Sequence, residues 1–321
     1  MQAVLNAALP IFALILAGTL CARRGILRRE AVGHLNDFVV RLALPALLFQ
    51  AMAQIDRAQI DHPGFIAAFG GGTLATFLAC FAMERGAGRR LADRSIEALA
   101  AAYPNTGFMG IPLCLAAFGP AGLPPAVIAT LMTACVLFAG AIVLIETDLQ
   151  QQRRPWRSAA RVGRSLLRNP LVAAPVLGLL WAGFGPALPG PILHFTTLLG
   201  AAASPCALVT IGLFLARPDA TKAGAAAPGA AGAGAAAIRL VVLKLVLQPV
   251  LTGVLAFWVF RMPPLWSHAA VLLSALPIGT GPFMLAELYR REAAVTSRAI
   301  LVSTVISLAT VSLLVAWFGR V

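Results

Sequence analysis

Charge is scarce in this 321-residue chain. Charged residues make up 12% of it while hydrophobic ones reach 60%, whereas an ordinary soluble domain has about 25% and about 45 to 50% respectively. That shortage speaks against a soluble enzyme, a disordered chain or a secreted domain. Carboxylates are rarest, with Asp+Glu 12 against Lys+Arg 25 and a net charge of +13. In a soluble protein this excess would suggest nucleic acid. Here the basic residues cluster between apolar runs rather than along one face, so no nucleic-acid partner is expected. The five cysteines, Cys21, Cys80, Cys114, Cys135 and Cys206, lie within or at the edge of apolar stretches with no close pair for metal or disulfide chemistry, and read as packing residues. No Ser-His-Asp set, metal-ligand cluster or phosphate loop stands at a plausible depth, so the expectation is a non-enzyme with no metal and no cofactor.

Long apolar runs, by contrast, are abundant. They cover roughly 3–22, 34–54, 63–83, 95–117, 122–146, 169–185, 192–216, 237–260, 267–289 and 296–318, each long enough to cross a bilayer, so the expected fold is an all-α integral membrane protein with ten transmembrane helices. The first run lacks a positive leader and is followed by Arg23, Arg24, Arg28 and Arg29. That order suits a retained span whose C-terminal end lies in the cytoplasm. With the N-terminus outside, twenty of the 25 basic residues fall on cytoplasmic connections and three outside. This bias supports the orientation, puts both termini on the outer side and suits a bacterial inner membrane.

The longest polar connection, 148–168, divides the spans five and five into 1–147 and 169–321. An odd number per half makes the second half enter the bilayer from the opposite side, so similar halves would form an inverted repeat. Pro45 and Pro205 interrupt comparable runs in the second and seventh spans. The Ala/Gly-rich stretch from Pro218 to Ala237 reads as a linker or frayed helix.

The fourth span contains Tyr103-Pro104-Asn105-Thr106-Gly107-Phe108-Met109-Gly110-Ile111-Pro112, and the ninth Leu276-Pro277-Ile278-Gly279-Thr280-Gly281-Pro282. Each proline removes a backbone donor and crowds the carbonyl one turn earlier, and glycine eases unwinding. Irregular backbone deep in a membrane survives only where protein or a watery cavity satisfies it. Two breaks at matching depth in two halves therefore point to a binding site at their crossing, the alternative being a pair of proline kinks in helix packing. Each second half-helix would offer unpaired N–H groups and about half a positive charge to a small anion, with Asn105, Thr106 and Thr280 adding directed hydrogen bonds and Gly107, Gly279 and Gly281 close backbone approach.

Elsewhere in the spans, Lys244 lies one turn before Gln248-Pro249. It suits either anion attraction and gating or snorkelling to the interface. Asp37 and Arg41 are spaced to pair on one helical face. Glu97, Glu146 and Glu287 lie near span ends and read as solvated. No Asp or Glu lies near the midplane, which disfavours a carboxylate-based proton or sodium site.

Pro104-Asn105-Thr106 with Met109-Gly110-Ile111-Pro112-Leu113, and Ala275-Leu276-Pro277 with Gly279, Pro282-Phe283, Ala286 and Tyr289, resemble the fourth- and ninth-span motifs of the auxin efflux carrier family, which includes plant PIN carriers and bacterial malonate or malate permeases. Leu44-Pro45-Ala46-Leu47-Leu48-Phe49 and Lys244 with Pro249 match weaker features, so the resemblance covers essentially the whole chain. It implies two inverted five-helix repeats with broken crossover helices 4 and 9, similar to sodium/proton antiporters and bile-acid transporters. It also implies a scaffold and a transport domain, an elevator-like mechanism and, often, a homodimer. Asn105 matches the family's substrate-contacting amide, and Pro104 or Pro112 with Pro277 its crossover prolines. Gly279-Thr280-Gly281 stands where bacterial relatives often carry a second amide, and the long central loop of the plant carriers is absent. The expected function is a secondary transporter of small organic anions, with substrate held by Asn105, Thr106, Gly107, Gly279, Thr280, Gly281, Lys244 and Gln248 between Pro104, Pro112, Pro277 and Pro282. A channel, or a membrane-embedded receptor or enzyme, is the alternative.

Overall fold

The computed structural model describes residues 2–28, 30–54, 61–84, 89–149, 168–216, 230–291 and 293–318. Within them every regular element is helical and there is no sheet. The chain runs through α1 (Gln2–Arg23), α2 (Ala31–Ala53), α3 (Pro63–Met83), α4 (Leu91–Ala102), α5 (Ile111–Phe118) and α6 (Gly119–Leu149). It continues through α7 (Pro170–Phe184), α8 (Gly190–Ala201), α9 (Ala203–Leu215), α10 (Gly234–Val259, its first turn beginning at Ala230), α11 (Pro264–Ser274), α12 (Gly281–Leu288) and α13 (Ala294–Phe318). Six stretches, α2, α3, α6, α8 together with α9, α10 and α13, are long and apolar enough to cross a membrane, which makes this a multi-pass membrane protein. Most of the expected connection 148–168 and the stretch 217–229 lie outside the described residues.

Interior prolines shape the long helices without ending them. Pro45, Pro112 and Pro249 each follow a π-helical turn, at Val39–Ala43, Thr106–Gly110 and Leu243–Leu247. A proline cannot donate to the carbonyl four residues back and its ring crowds that carbonyl, so one wider turn accommodates both faults.

Two groups of helices result. α1, α2, α7, α8 and α9 pack mainly on one another, the tightest pairs being α1 with α9 and α7 with α2. Gly18 of α1 lies against the Val209 carbonyl, and Gly212 of α9 against the Ile15 carbonyl. Helices in lipid gain little from hydrophobic exclusion, and such small-residue contacts bring their backbones together. The second group holds α3 to α6 and α10 to α13, with α3 packed on α4 and α10, and α6 on α4.

The polar expectations need one correction. Glu97 is only 4% exposed and Glu84 3%. Both carboxylates are shared by Arg89 and Arg239 in a four-membered ion-pair network joining α3, α4 and α10. Glu146 likewise accepts a 2.8 Å bond from the Tyr289 hydroxyl, which itself accepts from Asn169 Nδ2 at 3.2 Å. The carboxylates at these span ends are therefore partnered within the protein rather than solvated, because burial of a carboxylate is tolerated only with such partners. The Asp37–Arg41 pair forms as spaced, at 3.2 Å and exposed.

Candidate functional site

The two broken segments meet. Pro104 disfavours helical geometry at Tyr103, which is extended (φ −100°, ψ 91°), and α4 stops at Ala102. Pro277 acts likewise on the residue before it, and α11 stops at Ser274. The freed strands run antiparallel and form one isolated bridge, Pro104 to Ile278. Asn105 N donates to the Pro277 carbonyl at 2.9 Å and Gly279 N to the Tyr103 carbonyl at 2.9 Å. Each break thus satisfies backbone groups that unwinding freed in the other. Ile278 N donates to Ser303 Oγ of α13 at 3.1 Å, and the Asn105 carbonyl accepts from Met109 and Gly110.

The bridge also relates the two breaks to each other. With Pro104 opposite Ile278, a two-fold turn carries Asn105 onto Gly279, Thr106 onto Thr280 and Gly107 onto Gly281. The amide has no counterpart, and the reason is spatial. A Cβ on Gly279 would lie 2.9 Å from the Tyr103 ring, and one on Gly281 2.8 Å from it and 3.0 Å from Phe138. The aromatic ring from the first break fills the room that a second amide would need.

Helix chain resumes at Thr106 and at Gly281, where the first N–H groups have no partner inside the helix and carry partial positive charge. Pro282 takes the second position of the resumed helix, where a missing donor costs little, whereas Pro112 lies further in, just after the π-helical turn Thr106–Gly110. Asn105 and Thr106 are buried, Thr280 is half-buried and Gly107 is exposed. Gly107 opens onto a cavity of about 420 Å³ between the two helix groups, walled by Leu47 and Leu48 of α2, Gln54 just after it, Ile128 and Thr130 of α6, and Gly200 of α8. A second cavity, of about 500 Å³ between α3 and α6, touches neither break.

Lys244 and Gln248 lie apart from these N-terminal ends. Lys244 is fully buried, and its Nζ donates to the Ser274 carbonyl, the last of α11, at 2.6 Å. Snorkelling to the surface is thereby ruled out. Gln248 is also fully buried and donates to the Ala102 carbonyl, the last of α4, at 3.3 Å and to Thr73 Oγ1 at 3.0 Å. The sequence-expected residues thus fall into three places: Pro104, Asn105, Pro277 and Gly279 in the crossing itself, Thr106, Gly107, Thr280 and Gly281 at the resumed helix starts, and Lys244 and Gln248 at the carbonyl ends.

Sequence reasoning missed Tyr103, Ser303 and the apolar cavity wall. The wall residues look like any lipid-facing Leu or Ile. Ser303 had a legible signal: Thr296, Ser297, Ser303, Thr304 and Ser307 recur at helical spacing on one face of an apolar span, and all are buried.

Comparison with known proteins finds relatives along nearly the whole chain. Residues 3–315 match the family model described as "Membrane transport protein". The chain is 30% identical over 313 residues to a protein of Rhizobium meliloti (strain 1021) named "Putative malonate transporter", covering 97% of this chain and 95% of that one. It is 26% identical to the "Uncharacterized transporter YfdV" of Escherichia coli (strain K12) over 65% of this chain and 67% of that protein.

Proposed function

The chain belongs to the membrane transport protein family, that of the auxin efflux carriers, and on that footing we propose that it is a secondary transporter of small organic anions, carboxylates above all, with its substrate bound where the two broken helices cross. The observation that carries this reading is the reciprocal pairing of Asn105 N with the Pro277 carbonyl and of Gly279 N with the Tyr103 carbonyl, which brings two positive helix starts to one place. Asn105, Thr106 and Thr280 supply side-chain bonds, and Gly107, Gly279 and Gly281 let the backbone approach. A carboxylate enters along the cavity to Gly107. No cation stands among its lining residues, so the charged end of the substrate belongs at the helix starts and the remainder against Leu47, Ile128 and Leu131.

The packing supports ten spans arranged as two inverted five-helix repeats, 1–147 and 169–321, because α1 on α9 and α7 on α2 exchange when the halves are swapped. It also supports an elevator-like alternation in which α3 to α6 with α10 to α13 carry the crossing past a frame of α1, α2, α7, α8 and α9. The cavity onto which Gly107 opens lies between these groups. The charge bias of the connections supports a bacterial inner membrane with both termini outside.

The test is flux in proteoliposomes. Saturable carboxylate transport is expected of the unmodified protein, and its loss in Asn105→Ala at an unchanged yield of folded protein. Normal transport by Asn105→Ala rejects the crossing as the site, and flux that does not saturate marks a channel.

A further inference from the structure

Four helix ends converge on the crossing, and only two of them favour an anion. The starts of the resumed helices carry about half a positive charge each, and the carbonyl ends of α4 and α11 about half a negative charge each. Left alone these cancel, and a carboxylate at the crossing would be drawn by one pair and repelled by the other. α10 meets both carbonyl ends from one face. Lys244 places its ammonium 2.6 Å from the Ser274 carbonyl, and Gln248, one turn on, places its amide 3.3 Å from the Ala102 carbonyl.

We propose that Lys244 is the residue that sets the charge selectivity of the crossing, acting as a positioning residue through the carbonyl end of α11, with Gln248 as its neutral counterpart at α4. This rests on the reading of the crossing as the substrate site. Lys244 touches neither cavity, and among the described residues no carboxylate forms an ion pair with it. When protonated it has only helix ends to compensate its charge, and it then turns a crossing of no net charge into one of about one positive charge. Capping alone does not explain the choice. Gln248 shows that a neutral amide serves a buried carbonyl end in the same helix, and burying an ammonium is far costlier than burying an amide. The costlier group stands where its charge acts on the bound anion in a low dielectric, with little screening by water.

The decisive variants separate charge from hydrogen bonding. Lys244→Gln keeps a donor for the Ser274 carbonyl and removes the charge, whereas Lys244→Arg keeps the charge. Transport is read in proteoliposomes with radiolabelled malonate or, if malonate is not carried, with whichever carboxylate of a panel most raises the thermal stability of the unmodified protein. Lys244→Gln is expected to raise KM by about tenfold or more with a smaller change in maximal rate, and Lys244→Arg to stay within about threefold of the unmodified protein. An unchanged KM in Lys244→Gln overturns the proposal. If Asn105→Ala remains inactive alongside it, the crossing stands as the site and only the role of Lys244 falls. If Asn105→Ala transports normally, both fall. Should Lys244→Gln fail to fold, Gln248→Lys decides: a second positive charge lowers KM for the carboxylate by about threefold or more if charge governs selectivity, and an unchanged or higher KM overturns the proposal.

Discussion

The two breaks share a backbone and differ in nearly every side chain around it. Both stop a helix before a proline, exchange one bond each way across the bridge and restart with Thr-Gly. Around the first break stand an amide, a neutral cap on the carbonyl end and a glycine open to a cavity. Around the second stand a glycine in place of the amide, a cation on the carbonyl end and a glycine roofed by Tyr103 and Phe138. The common backbone is what a crossing of two positive helix ends requires. The differences give the crossing one open side and one covered side, and place Lys244 behind the covered break.

The half-helices leading into the breaks differ most in what anchors them, and here the largest effect is expected. α4 is held by Glu97 within the network of Glu84, Arg89 and Arg239. Near the start of α11, Ser267 makes a neutral 3.0 Å bond to the Met262 carbonyl. Glu97→Gln leaves two arginines on one carboxylate and is expected to cost roughly 2 to 3 kcal/mol, below the usual penalty for a broken buried pair because both arginine side chains are about a third exposed. Ser267→Ala should cost about 1 kcal/mol. Unfolding of the detergent-solubilised protein compares the two, and equal losses would remove the distinction between a charged and a neutral anchor.

The Thr-Gly pairs sharpen the contrast between covered and open sides. A methyl group at Gly281 meets the Tyr103 ring at 2.8 Å, whereas one at Gly107 has only Thr130 Cγ2 within reach, at 3.8 Å. Gly281→Ala should therefore destabilise by about 2 kcal/mol, and Gly107→Ala by less than about 0.5 kcal/mol. Gly107→Ala should instead raise KM, since the added methyl enters the cavity. Combining Gly281→Ala with Tyr103→Leu ought to restore part of the lost stability. If the double variant is no more stable than Gly281→Ala, the ring is not what holds that glycine.

Much of this could be read from the residues, because a membrane leaves few solutions for them. Apolar runs of spanning length, basic clusters between them and two proline-glycine interruptions each have one cheap arrangement in lipid. The breaks at Pro104 and Pro277 lie where the pattern puts them, and the helix ends differ from the apolar runs by only a few residues. What the pattern hides is pairing between distant elements. Nothing near Glu97 in sequence announces Arg239, so a carboxylate at a span end looks solvated until the fold brings the guanidinium to it. Lys244 announces its cost but not its partner, since that partner is a backbone carbonyl thirty residues on. Gly279 reads as a missing amide, and only the approach of Tyr103 shows why a side chain is excluded there.

The smallest difference between the breaks follows from one atom. At the centre of the bridge the first break offers Pro104, which has no N–H, whereas the second offers Ile278, which has one. A buried donor needs an acceptor, and Ser303 provides it at 3.1 Å while donating its own proton to the Ile300 carbonyl. The first break needs no such hydroxyl. Ser303→Ala should consequently cost about 1 to 2 kcal/mol, the penalty of an orphaned backbone donor. Ser307→Ala one turn along, whose hydroxyl bonds the Thr304 carbonyl of its own helix, should cost under about 0.5 kcal/mol. Hydrogen exchange at the Ile278 amide provides a second measure: its protection should fall in Ser303→Ala and hold in Ser307→Ala. Equal protection in the two variants would mean that the second break is held by its bonds to Tyr103 and Asn105 alone, and that the proline at the centre of the first break relieves the fold of no burden.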